Sequence, residues 1–133
     1  MKLFNRRVAI SGLAAVAGFG ALATVAQAQE YPTRNITMIV PFAAGGPTDV
    51  IARIVAADMS KTLGQQIIIE NVVGAGGTTG ATRAARAAND GYTIITGHMG
   101  THAAAVPLYP KLAYHPEKDF EPVALLAGTP ILI

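Results

Sequence analysis

The sequence predicts an α/β fold with a mostly parallel β-α-β-α-β core. Three short runs rich in apolar and β-branched residues, 36–40, 66–70 and 92–96, alternate with two stretches of helical character. Each run is followed by a loop rich in glycine and threonine. A helix between two short strands indicates parallel pairing. Ligands bind at the carboxyl edge of open parallel sheets, so these loops are candidate binding segments.

The first strand and the turn after it organise the rest of the prediction. The strand, 36–40, is almost wholly apolar, which is typical of burial on both faces. Gly45 and Gly46 allow a sharp turn and a close approach of a ligand to the backbone. Pro47 suits the first position of a helix, where its missing N–H is not needed. Thr48 or Asp49 is then expected to cap or charge the first helical turn.

Helical periodicity predicts a first helix directly after this turn. The apolar stripe consists of Ile51, Ile54, Val55, Met59 and Leu63. Gly64 supplies the helix end. After the second strand, residues 71–80 are expected to form another glycine turn, with a second helix at 81–88.

The signal is less regular after the third strand. Residues 97–102 form a third polar loop, and 103–109 suggests a short helix. Residues 110–122 are polar and contain prolines, as in a surface connection, whereas 123–126 resembles a further strand. The last residues, 129–133, form an apolar run without a polar tail, which is expected of an incomplete chain.

Residues 1–28 are predicted to be a cleavable signal peptide. A basic start containing Lys2, Arg6 and Arg7 precedes an apolar stretch of small residues and an Ala-Gln-Ala site that ends at Ala28. The mature chain then begins at Gln29, and a periplasmic location is expected. Paired arginines occur in twin-arginine signals and in ordinary signal peptides, so the export route stays open.

Charge and cysteine content exclude several classes of protein. Three of the ten basic residues fall in the signal peptide, which leaves seven basic and eight acidic residues and a mature net charge of −1. The sequence has no basic cluster of the kind that binds nucleic acid, so no nucleic-acid partner is expected. The absence of cysteine excludes disulfides, a thiol nucleophile and cysteine metal sites.

No catalytic, metal-binding or cofactor motif is evident. The two serines, Ser11 and Ser60, do not lie in a G-x-S-x-G turn. His98 and His102 are four residues apart, but the pair has no adjacent Glu and Gly100 lies between them, so a zinc site is not expected. The glycines at 74–80 miss the G-x-G-x-x-G dinucleotide pattern. We therefore expect a protein that is not an enzyme and holds neither metal nor cofactor.

An ordered set of short motifs runs through the whole mature chain and resembles the Bug-type solute receptors of tripartite tricarboxylate transporters. The motifs are Tyr31-Pro32, the 36–49 segment with Arg53, Gly64-Gln65, Glu70-Asn71, Gly74-Ala75-Gly76-Gly77, Asp90-Gly91-Tyr92-Thr93 and Asp119-Phe120 with Pro122-Val123. The pattern departs at Thr78, Asn89 and His115, where Asn, Pro and Asp are common. Only Thr78 lies in a candidate ligand loop.

The resemblance implies a periplasmic binding protein of the type II fold. In this fold two α/β lobes joined by a hinge hold a small organic carboxylate, which the receptor delivers to an integral membrane permease. Residues 29–133 would form a partial first lobe without the second lobe, and the complete receptor would be monomeric. Two alternatives stay open: a nucleotide-binding oxidoreductase fragment, and a truncated product that neither binds a ligand nor folds stably.

The candidate site combines this resemblance with the properties of helix starts. Two helices that follow glycine turns present free N–H groups and partial positive charge to one edge of the sheet. The candidate backbone donors are Gly45, Gly46, Gly76, Gly77 and Thr78, with Ala44 in the same first loop. Thr101, with His98 or His102, adds side-chain hydrogen bonds, Phe42 forms a wall, and Asp49 holds the first helical turn by accepting backbone N–H bonds. The plain alternative is that the glycines serve only as tight turns.

Overall fold

A computed structural model describes residues 30–128. The predicted signal peptide, 1–28, and the apolar segment 129–133 lie outside these residues, so the expectations about cleavage and an incomplete chain concern parts that the structure does not describe. Within 30–128, helices pack on a parallel sheet of three strands. The predicted α/β class and the β-α-β-α-β core are confirmed.

The sheet is built around its first strand. Strand β1 (Ile36–Val40) lies between β2 (Ile67–Asn71) and β3 (Thr93–Ile95), and it pairs in parallel with both. The central strand is the most deeply buried, as its apolar run predicts. The second and third strands begin one residue later than expected, and the third also ends one residue earlier.

Helix α1 (Pro47–Leu63) covers one face of the sheet. Pro47 opens it and Gly64 closes it with φ 68°, so both predicted ends are confirmed. The core on this face is formed by the alternating β1 residues Ile36, Met38 and Val40, together with Ala52, Ala56 and Ile67. The two small alanines allow the helix to approach the sheet closely.

The predicted apolar stripe of α1 is wrong at Ile54. Its side chain is 66 % exposed, and the buried line of the helix runs through Asp49, Ala52 and Ala56 instead. Hydrophobic periodicity weights large side chains, whereas close helix–sheet packing here places the smallest ones at the centre. Met59 and Leu63 flank this line and are half-buried against the same core.

Helix α2 (Thr78–Ala85) starts three residues before the predicted position. A short 3-10 turn, Ala75–Gly77, leads into it, and Gly77 takes a left-handed conformation with φ 91°. The Thr78 hydroxyl donates to the Ala75 carbonyl oxygen at 2.9 Å, which stabilises this early start. The helix lies over Thr37 and Ile39 of β1, on the sheet face opposite α1, beside a groove of about 610 Å³.

The segment after β3 differs from the predicted loop and helix. A π-helical turn (Gly100–Ala104) runs directly into a short helix, α3 (Ala105–Leu108). Beyond it the described chain has no regular secondary structure, as predicted for 110–122. Tyr114 nevertheless inserts into the fold, with 5 % of its surface exposed, and its hydroxyl donates to the Thr101 carbonyl oxygen.

The predicted strand at 123–126 is absent. Val123 and Leu125 are 87 % and 91 % exposed, and no strand among residues 30–128 pairs with this segment. β-branched and apolar residues favour a strand only where a partner supplies hydrogen bonds and a packing surface. Within the same range, no helix has the length and hydropathy needed to cross a membrane.

We predict that Gly80→Ala destabilises the mature chain. A Cβ at Gly80 would lie 2.8 Å from the Val72 carbonyl oxygen and 2.9 Å from the Pro41 Cα, both backbone atoms that cannot move aside cheaply. Overpacking should outweigh the gain in helix propensity and lower the free energy of unfolding by about 1–2 kcal/mol, measured by urea denaturation. Gly128→Ala is the matched control, because a Cβ there meets no atom within 4 Å. Equal unfolding midpoints for both variants would contradict this packing.

Candidate functional site

Three loops meet at the carboxyl edge of the sheet. Because β1 lies between β2 and β3, the strand order reverses at β1, and such a reversal is where open α/β sheets bind ligands. A Cβ at Gly77, in the loop after β2, would lie 2.7 Å from the Thr101 Cγ2 atom and 3.0 Å from the Phe42 Cζ atom. Residues from all three loops are therefore in contact, as the sequence predicted.

An aromatic pair forms one side of this meeting point. The rings of Phe42 and His98 stack with centroids 4.6 Å apart and an angle of 11° between their planes. The His98 Nδ1 atom accepts a hydrogen bond from the Gly100 N–H at 2.7 Å, so the neutral ring carries its proton on Nε2. Phe42 is half-buried and His98 is exposed, so the pair presents an apolar face with one polar donor.

Asp49 holds the first loop against α1 and β2. Its carboxylate is only 1 % exposed and accepts hydrogen bonds from the Gly45 N–H at 2.8 Å, Arg53 Nε at 2.8 Å and Asn71 Nδ2 at 2.9 Å. The Asn71 amide also donates to the Phe42 carbonyl oxygen at 3.0 Å. Asp49 thus fixes the loop before α1 through one backbone N–H and two side chains, and not the first helical turn through several backbone N–H groups as predicted; its side chain is too buried to meet a ligand.

The same contacts keep Asp49 ionised. Hydrogen bonds from Arg53, Gly45 and Asn71, in that order of effect, hold the pKa of the Asp49 carboxyl far below its usual range, against the opposing effect of burial. The carboxylate in turn raises the pKa of Arg53. The pair is thus charged on both partners, and the cation offsets a negative charge that would otherwise repel an anionic ligand.

Four of the five predicted backbone donors already donate within their own turns. The bonds run from Gly45 to Asp49 Oδ2 at 2.8 Å, from Gly46 to the Ala43 oxygen at 3.3 Å, from Gly77 to the Gly74 oxygen at 2.8 Å and from Thr78 to the Ala75 oxygen. These four N–H groups are therefore already paired within the described residues. Whether these residues contact a ligand through other atoms stays a prediction.

Three N–H groups of the first two loops are left without an acceptor: that of Gly76, the fifth predicted donor, and two that the sequence did not predict. Those of Gly76, Thr48 and Asp49 have no acceptor anywhere in residues 30–128. Thr48 and Asp49 lie in the first turn of α1, where helical hydrogen bonding leaves donors unsatisfied. Gly46 precedes the helix as its N-cap and has no side chain to cap them. Ala44, the remaining predicted residue of this loop, is exposed beside them.

The third loop offers fewer free side-chain hydrogen-bonding groups to a ligand than predicted. Thr101 is fully buried, and its hydroxyl group is bonded to the His98 backbone and to His102 Nδ1 at 2.8 Å. Thr101 therefore fixes the π turn instead of reaching into the mouth. His102 is half-buried, and burial, followed by the charge of His98, lowers its pKa. Among the predicted side chains of this loop, His98 is the most exposed.

Sequence reasoning missed Arg53 and Asn71 as site residues. Both appear in the motifs that carry the resemblance, but only the fold brings them to Asp49. No group of three or more His, Asp or Glu side chains within the described range is arranged to hold a metal ion.

We predict that Asp49→Asn removes an acid-dependent loss of stability. Because the pKa of Asp49 is lower in the folded than in the unfolded chain, the carboxylate stabilises the fold above its unfolded pKa of about 3.9. That stabilisation is lost as the pH falls toward the folded pKa. The urea concentration at the unfolding midpoint of the wild type should therefore decrease once the pH drops below about 4. The midpoint of the variant should be lower than that of the wild type at neutral pH and should change less with pH.

Asp58→Asn is the matched control on the same helix, because the Asp58 side chain is 84 % exposed and lies away from this network. It should keep the pH dependence of the wild type. If Asp49→Asn and Asp58→Asn give the same pH profile, the buried carboxylate does not stabilise the fold in the way described.

Comparison with known proteins identifies the family of this chain. Residues 51–133 match the model of the tripartite tricarboxylate transporter family receptor. A protein encoded in the TAR-I ttuE-ttuC' intergenic region of Agrobacterium vitis is 52 % identical over 110 residues, which cover 82 % of this chain and 32 % of that protein.

Solved structures agree with the sequence relatives. MatC from Rhodopseudomonas palustris, determined with bound malate, is 66 % identical with a TM-score of 0.70, covering 72 % of this chain and 33 % of MatC. The periplasmic binding protein BugD is 51 % identical with a TM-score of 0.67, covering 69 % and 30 %. Rpa4515 from R. palustris, determined with adipate, is 41 % identical with a TM-score of 0.63, covering 65 % and 29 %.

The chain thus spans about a third of the length of these relatives. The match to the family model, residues 51–133, covers more than half of this chain. The family consists of periplasmic solute-binding receptors and not of enzymes. The chain belongs to the tripartite tricarboxylate transporter receptor family and is of the Bug type.

Proposed function

We propose that residues 30–128 form one wall of a receptor that captures a small organic carboxylate outside the cytoplasm. The observation that carries the proposal is the set of unsatisfied N–H groups of Thr48, Asp49 and Gly76 in the loops after β1 and β2, where a Cβ at Gly77 would lie 3.0 Å from the Phe42 ring. The start of α1 and the turn after β2 are tied together through Asp49 and Asn71. Backbone amides and the positive end of a helix suit a carboxylate group.

The ligand class follows from charge and from the relatives. Arg53 is committed to Asp49, so the site holds an anion chiefly through neutral donors. Such donors distinguish an acceptor-rich carboxylate from cations and from apolar solutes. MatC was determined with malate and Rpa4515 with adipate, both of which are dicarboxylates. We propose a small dicarboxylate as the ligand of this chain.

Family membership supports the proposed partners. The receptor delivers its ligand to the integral membrane permease of a tripartite tricarboxylate transporter, in the periplasm, as a monomer. We propose that binding also needs a second wall: the chain spans about a third of its relatives, and the two-lobed fold that the resemblance implies holds its ligand between the lobes. Family membership favours this function over the oxidoreductase alternative, and Gly80 is packed against Pro41 inside α2, where no phosphate can approach it.

We predict that Gly46→Val abolishes carboxylate binding in a chimera in which residues 30–128 replace the aligned third of MatC. A Cβ at Gly46 meets only the Ala43 oxygen, at 3.4 Å, and φ −76° is accessible to any residue, so the fold should tolerate the side chain. The isopropyl group would then stand over the free donors of α1. Titration calorimetry with malate should show binding by the chimera and at least a hundredfold weaker binding by the variant, a loss of about 3 kcal/mol.

Ala57→Val, on the exposed side of α1, is the matched control and should bind malate like the chimera. A folded chimera that binds no dicarboxylate, while MatC binds malate in the same assay, would refute the proposed function. Unchanged affinity in Gly46→Val would remove the first loop from the site.

We predict that a polypeptide of residues 29–133 alone binds no carboxylate tightly, because the single wall proposed here would leave most of the ligand in water. Thermal shift with millimolar malate or adipate should leave the unfolding temperature unchanged within error. Micromolar binding by this chain would contradict the need for a second wall.

A further inference from the structure

Tyr109 stands out among the tyrosines of the chain. The sequence contains four tyrosines, and three of their hydroxyl groups are hydrogen-bonded inside the protein: Tyr31 to the Gly91 oxygen at 2.7 Å, Tyr92 with Thr33, and Tyr114 to the Thr101 oxygen. The Tyr109 hydroxyl has no partner among residues 30–128, and the residue is 36 % exposed. A polar group of this kind is available to a ligand.

The position of Tyr109 is fixed from both sides. Its N–H donates to the Ala105 oxygen at 3.0 Å and its carbonyl oxygen accepts from the Leu112 N–H at 3.1 Å. The ring therefore projects from an anchored backbone at the end of α3. Sequence reasoning gave this residue no role.

The Tyr109 hydroxyl lies over the glycine turn after β2. A Cβ at Gly76 would be 2.7 Å from the hydroxyl oxygen and 3.7 Å from the Cζ atom. Since a Cβ lies about 2.5 Å from the amide nitrogen of its own residue, at most about 5 Å separates the hydroxyl from the Gly76 nitrogen. That N–H is one of the unsatisfied donors of the site. A carboxylate has two oxygens and can accept from both donors at once.

We propose that Tyr109 contacts the ligand, and that its hydroxyl and the Gly76 N–H together bind one carboxylate group. This inference rests on the proposed function. It also explains the glycine at position 76 in part, because any side chain there would displace the hydroxyl. The pair carries no formal charge, so it recognises the carboxylate by hydrogen-bond geometry.

The test is Tyr109→Phe in the MatC chimera. The variant removes one oxygen and keeps the ring, and the lost hydroxyl makes no bond within the described protein, so the unfolding temperature should not change. A hydrogen bond to an ionised group predicts malate affinity about tenfold to a hundredfold weaker. Tyr31→Phe is the matched control: its hydroxyl is bonded to Gly91, which precedes β3, away from the carboxyl edge, and the variant should bind malate like the chimera.

The possible outcomes separate the two claims. If the chimera binds malate and Tyr109→Phe binds equally well, this inference is overturned and the proposed function stands. A folded chimera that binds no dicarboxylate overturns both. Should Tyr109→Phe lower the unfolding temperature, the Gly76 amide resonance of the unmutated chimera gives a second readout. It should shift on addition of malate, and an unmoved resonance would overturn the pairing.

Discussion

The buried carboxylate of Asp49 is the contact on which the rest of this edge depends. It joins the turn at Gly45, helix α1 through Arg53, and the end of β2 through Asn71. Asp49 reaches back to the loop and does not cap its own helix, and the N-cap residue, Gly46, has no side chain. The first-turn amides stay unsatisfied for that reason, because a Ser, Thr or Asp at the N-cap would use one of them. A carboxylate can accept hydrogen bonds from these unsatisfied first-turn amides.

Charge is arranged so that an anion meets no net repulsion. Arg53 offsets Asp49 at 2.8 Å, and the start of α1 adds the partial positive charge of its dipole. On the opposite face of the sheet, Arg83 and Glu70 form a second ion pair at 2.8 Å, so this guanidinium is also engaged. The proposed recognition therefore relies on the placement of neutral donors more than on formal charge. Such placement requires a rigid backbone, which the hydrogen bonds of Asp49 and Asn71 provide for the first loop.

Local sequence patterns predicted the central strand and the ends of α1. Identifying which N–H groups are free required the three-dimensional structure. The central strand and both ends of α1 follow from an apolar run, Pro47 and Gly64, which act through neighbouring residues. The start of α2 was missed because it depends on the left-handed Gly77 and the Thr78 hydroxyl bond. Which N–H groups are free is a matter of hydrogen-bond accounting in three dimensions. The roles of Asn71 and Tyr109 come from contacts between residues far apart in the chain, for which the sequence pattern gives no signal.

The most direct measurement is a crystal structure of the MatC chimera with malate. This account predicts a malate carboxylate with its oxygens within about 3.2 Å of the N–H nitrogens of Gly76 and of at least one of Thr48 and Asp49, beside the Phe42–His98 pair. A ligand held by charged side chains, with all three nitrogens beyond hydrogen-bonding distance, would contradict the claim that backbone amides of this chain form the binding wall.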